Sequence, residues 1–111
     1  MITVESLREY GANVDEGLTR CLNKEDFYLK MVNLGLKDER FEKLGEIVAS
    51  KDLNAAFEAV HALKGVVGNL ALTPLLEPIE KMTELLRNHT DTDYSEYVSQ
   101  IKAEREKILS M

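Results

Sequence analysis

This chain is short of the residues that staple, break or anchor a protein. Its 111 residues include one cysteine, two prolines and six glycines. A lone Cys21 cannot build an intrachain disulfide framework or a cysteine zinc cluster, and it reads as a small buried apolar residue. No apolar run is long enough for a membrane span or a signal-peptide core, and the opening Met-Ile-Thr-Val-Glu-Ser-Leu-Arg-Glu-Tyr is charged. A cytoplasmic location is therefore expected. Basic residues number 14 against 20 acidic, a formal charge of −6, and they are scattered, which argues against nucleic acid or a membrane as partner. No segment alternates as a half-buried strand does, and with so few helix breakers the expectation is an all-helical protein. The chain also has no phosphate-cradling glycine loop, no Walker-type lysine and no clustered carboxylates. Neither an enzyme with its own nucleotide site nor a resident metal or cofactor is expected.

A hydrophobic share of 44% beside a charged share of 31% belongs to an ordinary globular protein rather than a disordered one. The length suits one domain over residues 1–111. Within it, residues 1–37 are expected to form short lid helices. The first carries Leu7 and Tyr10 and ends at Gly11. A second is capped by Asn13 with Glu16 and bears Leu18 and Leu22, and a third is capped by Asn23, with Phe27, Tyr28, Met31 and Leu34 as its stripe before Gly35.

Residues 38–111 are expected to form an antiparallel up-down four-helix bundle. Phe41, Leu44, Ile47 and Val48 mark its first helix, and Asp52 caps the second, which should end near Leu72. Thr73-Pro74 signals the third with proline at the first helical position. Pro78 then leaves two options: a kink there, or a helix that begins there. Ile79, Met82, Leu85 and Leu86 supply the apolar stripe in either case. Asp93 with Glu96 has the capping spacing for a last helix carrying Tyr94, Tyr97, Val98, Ile101, Ile108 and Leu109, whose stripe is broken by Glu104 and Arg105. These stripes are used up by one bundle, so a monomer is expected.

Folding alone does not explain residues 61–72, His-Ala-Leu-Lys-Gly-Val-Val-Gly-Asn-Leu-Ala-Leu. At roughly 100° per residue, Ala56, Val60, Leu63, Val67 and Leu70 fall within about 40° of one direction, about 140° away from His61. The histidine therefore points to solvent, with Lys64 one turn on and Gly65 and Gly68 within roughly 40° of the imidazole. Glycine inside a helix costs about 1 kcal/mol relative to alanine, so two of them beside a histidine ask for a reason. Close approach of another molecule supplies one: a partner's backbone or a phosphate can come down onto the ring, and Lys64 offers a charge beside it. Neutral imidazole keeps one nitrogen available as a nucleophile near pH 7. Glu58, one turn earlier, is placed to orient the ring or simply to be solvated. His89 sits in the polar turn 88–93 with no partner motif, and Phe41, Phe57, Tyr94 and Tyr97 read as core.

His61-Ala62-Leu63-Lys64-Gly65 followed by Gly68-Asn69-Leu70 resembles the signature of histidine-containing phosphotransfer (HPt) domains. That resemblance implies a four-helix bundle whose surface histidine takes a phosphoryl group from an aspartate of one receiver domain and passes it to another. His61 would be the phosphoacceptor and Lys64 the neutralising charge. Gly65, Gly68, Glu58 and Asn69 would face the partner, a response-regulator receiver domain or a hybrid sensor histidine kinase, with Mg²⁺ on the receiver only. The sequence departs from the common pattern at Val66 and Val67, where Ser or Ala is frequent, and at Ala71, where Gly is frequent. Two alternatives stay open: a helical adaptor that binds a receiver or kinase without transfer, and the histidine-bearing domain of a larger kinase, against which the Met1 start weighs.

Overall fold

Immediately before the first helix, the chain makes a reciprocal cap. In the computed structural model, which describes all 111 residues, Thr3 Oγ1 accepts from the Ser6 amide and Ser6 Oγ accepts from the Thr3 amide. Helix α1 then spans Val4–Tyr10 and stops at Gly11, whose φ of 107° lies in the left-handed region that glycine enters freely. Six more helices follow: α2 Val14–Arg20, α3 Glu25–Leu36, α4 Arg40–Ala49, α5 Leu53–Asn69, α6 Thr73–Arg87 and α7 Ser95–Leu109. There is no strand, and no helix is long and apolar enough to cross a membrane.

The last four helices form the bundle. α5 packs against α4 and α6, α6 packs against α7, and α7 closes back on α4. Residues 50–52 and 70–72 are the whole of two of the connections. Links this short between helices packed on one another reverse the chain direction at each of them. Phe41, Leu44, Val60, Leu63, Val67, Leu75, Ile79, Met82, Leu86 and Ile101 fill the centre. The expected Asp52 cap is present, its carboxylate accepting from the Ala55 amide at 3.1 Å.

Several boundaries differ from expectation. Helix α5 ends at Asn69 rather than Leu72, because Ala71 turns left-handed (φ 56°) and the amides of Ala71 and Leu72 return to the carbonyls of Gly68 and Val67. Helix α6 begins at Thr73, so proline occupies its second position rather than its first, and the helix runs on through Pro78. Asp93 accepts from the Ser95 amide instead of reaching Glu96, which starts α7 at Ser95. Left-handed backbone costs a residue with a Cβ roughly 1–2 kcal/mol. Ala71→Gly is accordingly expected to raise stability by up to about 1 kcal/mol after the entropy of the freer unfolded chain is deducted. Thermal unfolding that shows no rise would contradict that account of the turn.

The N-terminal helices depart further from expectation. Leu22 lies beyond α2, is 75% exposed and has φ 59°. Asn23, also left-handed, does not cap α3; Lys24 takes the capping position without a side-chain bond. In α3 the inward face is Tyr28, Val32 and Leu36, while Phe27 and Leu34 are exposed and Met31 is half-buried. Gly35 is inside the helix, not after it, because α3 crosses α5 there. A Cβ at Gly35 would sit 2.7 Å from Leu70 Cδ1 and 3.1 Å from Val66 Cγ1. Leu7, Val14, Tyr28, Val32 and Leu36 belong to the same continuous core as the bundle. Two bonds to backbone carbonyls fasten this segment to the end of α5: Tyr28 Oη to the Leu70 carbonyl and the Asn13 amide to the Ala71 carbonyl, each 2.9 Å.

The break in the α7 stripe is where the N-terminal half is tied on. Arg105 donates from Nε to the Leu36 carbonyl at 2.7 Å, pairs with Glu42 at 2.9 Å and lies over the Phe41 ring. Glu104 accepts from Tyr10 Oη at 2.7 Å and from Lys107 at 2.9 Å. Burial pushes the Glu104 carboxyl up, but those two hydrogen bonds outweigh it and hold the group below its ordinary range. A carboxyl depressed on folding contributes stability above its unfolded pKa of about 4.3, and that contribution is lost as the pH falls through the lower folded value. Glu104→Gln should therefore flatten the loss of stability below about pH 4, measured by urea unfolding as a function of pH. An acid limb as steep as that of the wild type would show that the pair contributes nothing.

Candidate functional site

Helix α5 sorts its residues as the 3.6-residue period requires. Ala56, Ala59, Val60, Leu63 and Val67 are buried. On the opposite side His61, Gly65, Asn69 and Glu58 are exposed, with Lys64 and Gly68 half-buried. The structure brings His61, Lys64, Gly65, Gly68 and Asn69 together along one shallow depression, which α2 borders with Glu16 and Arg20 and α6 with Thr73, Leu76 and Glu80. Glu58 lies outside it and makes no hydrogen bond or ion pair with His61.

The two glycines are not there for the chain's own packing. A Cβ built at Gly65 or Gly68 meets nothing within 4 Å, and neither has a left-handed backbone. Lys64 forms no ion pair with any carboxylate of the chain. Asn69 is held by Arg20, whose Nη1 donates to its Oδ1 at 2.9 Å while Nη2 pairs with Glu16 at 2.8 Å. Asn13 Nδ2 donates to Glu16 in turn, so α2 reaches the end of α5 through a chain of side chains.

Two neighbours of the histidine were missed by the sequence reading. Phe57, expected in the core, is half-buried and stacks on His61, with ring centroids 5.4 Å apart and 24° between planes. Arg87, from the last turn of α6, lies over the Phe57 ring at 5.7 Å. The spacing of four residues between Phe57 and His61 is a signal that a helical wheel can supply. Arg87 arrives from another helix and leaves no trace in local sequence.

A larger groove of about 660 Å³ lies beside the depression and shares Arg20 and Asn69 with it; Phe27, Met31, Leu34, Val66 and Leu70 supply its apolar walls. The exposed imidazole of His61 belongs to the smaller concavity, which also holds the ammonium of Lys64 and the bare backbone at Gly65 and Gly68. An arrangement of this kind can take a group of high negative charge onto the imidazole and release it again. No curated protein and no solved structure gives a significant match to the chain. A family model described as Hpt domain matches residues 37–110, the whole of α4 to α7. With most of its length matched and its helices closed into a bundle, the chain belongs to the Hpt domain family, the phosphotransfer carriers of two-component phosphorelays, whose partners are receiver domains and histidine kinases.

Proposed function

We propose that this protein is a phosphocarrier that accepts a phosphoryl group on His61 from a receiver-domain aspartate and passes it to the aspartate of another receiver. The observation that carries the reading is the exposed imidazole of α5 with unpaired Lys64 one turn on and open space over Gly65 and Gly68. In the forward step a ring nitrogen attacks phosphorus in line, the N–P bond forms, the acyl P–O bond breaks, and the aspartate leaves as carboxylate. The other nitrogen keeps its proton. Lys64 offsets the charge spread over the three phosphoryl oxygens. The Mg²⁺ that such transfers use is assigned to the receiver.

The test is transfer of label from phosphorylated receiver domains, including the receiver of a hybrid sensor kinase. The expected product is a phosphoprotein that is labile in acid and stable in base, as an N–P bond is and an acyl phosphate is not. A wild-type protein that binds receivers yet never acquires label is an adaptor, and this reading is then wrong.

A further inference from the structure

The lone pair of an imidazole nitrogen lies in the plane of the ring. A histidine on an exposed helical face turns about its Cβ–Cγ bond, and each turn swings that lone pair away from the line on which phosphorus must sit. Nothing in the chain restrains His61 by a hydrogen bond. Its restraint is Phe57, stacked on one face of the ring at 5.4 Å and 24°. A partner on the face limits rotation and leaves both nitrogens free at the edges, which a hydrogen-bonding partner would not do. Phe57 is itself fixed twice, by packing against the core on one side and by the Arg87 guanidinium over its ring.

We infer that Phe57 is a positioning residue for phosphoryl transfer, holding the His61 imidazole in the plane from which its nitrogen attacks. This rests on the phosphocarrier reading above. Phe57 touches neither the phosphoryl group nor the receiver aspartate; it acts through the ring it supports. Its effect falls on the rate of the bound complex rather than on receiver affinity, because it narrows the orientations of a nucleophile already in place. The worth of an aromatic pair corresponds to about two- to tenfold in the population of the stacked orientation.

The experiment measures transfer from a phosphorylated receiver by rapid quench over a range of receiver concentrations, using wild type, Phe57→Leu and Phe57→Trp. Proton NMR of the His61 ring accompanies it. Leucine keeps apolar bulk against the core without a ring face, and tryptophan restores the face. Phe57→Leu is expected to lower the maximal rate about two- to tenfold at an unchanged half-saturating receiver concentration, and to erase the ring-current shift of the imidazole protons. Phe57→Trp is expected to recover both. A Phe57→Leu protein that transfers at the wild-type rate overturns the proposal, as does an equal loss in Phe57→Trp, which would mark simple core packing. Absence of a ring-current shift in the wild type overturns it as well. If the wild type takes label and only the Phe57 result disagrees, the carrier function stands; if the wild type takes none from any receiver, that function falls and the positioning role with it.

Discussion

A His61→Gln variant is expected to fold as the wild type does and to take no phosphoryl group from a receiver that labels the wild type. The two halves of this expectation have separate grounds. The side chain of His61 is exposed and gives up no hydrogen bond, so only its stack on Phe57 is lost, a change of about 1 kcal/mol or less in thermal unfolding. A carboxamide nitrogen, by contrast, has its lone pair delocalised into the carbonyl and does not attack phosphorus. Removing a covalent nucleophile costs on the order of a thousandfold or more in rate. Receiver affinity, read by titration calorimetry, should stay within a few fold of the wild type. Label retained by the variant would place the acceptor elsewhere; the other imidazole, His89, lies exposed in the turn after α6.

Substitution of the two glycines should move stability and function in opposite directions. Gly65→Ala and Gly68→Ala are each expected to raise stability by about 1 kcal/mol, since a helix-interior glycine is being replaced and the added Cβ meets open space. That corresponds to a rise of several degrees in Tm for a domain of this size. Gly68→Leu should keep a stable fold yet cut transfer from a receiver on the order of a hundredfold, because a displacement of about 1 Å in the reacting atoms has that effect. Labelling of His61 by phosphoramidate, a donor small enough to pass a leucine, should persist. Should Gly68→Leu accept phosphate from the receiver as fast as the wild type, the partner does not come down on this face. Should the alanine variants be less stable, the glycines serve the fold after all.

What could be read from sequence was whatever one helix settles by itself. The burial of Val60, Leu63 and Val67 and the exposure of His61 and Gly65 follow from period alone, and the structure reproduces them. α3 was harder because both of its sides are apolar. Phe27, Met31 and Leu34 have the spacing of a stripe just as Tyr28, Val32 and Leu36 do, and only packing on α2 and on the end of α5 decides between them. The placing of Leu22 in α2 and of a cap at Asn23 both fail on left-handed backbone, which a leucine seldom adopts and an asparagine tolerates. Gly35 could not be told from a helix terminator until Leu70 and Val66 were seen against it. Pro78 disrupted the expected α6 boundary for a local reason, the lost amide, which the packing of Leu75, Ile79 and Met82 overrides. At the site, His61, Lys64, Gly65, Gly68 and Asn69 of α5 were legible, whereas Glu58 lies outside the depression, the stack of Phe57 on His61 was missed, and Arg20 and Arg87, supplied by α2 and α6, left no local trace.

The fastening of Tyr28 and Asn13 to the end of α5 has an electrostatic consequence. Aligned peptide dipoles leave a helix with about half a negative charge at its carbonyl end, concentrated in the last turn. In α5 that turn contains Gly68, which lines the same depression as His61, so the pole lies at one end of that depression. The Tyr28 hydroxyl and the Asn13 amide occupy the Leu70 and Ala71 carbonyls, and the Arg20 guanidinium sits on Asn69. Helices that look like covering for the bundle thereby screen its negative pole at one end of the depression that holds His61.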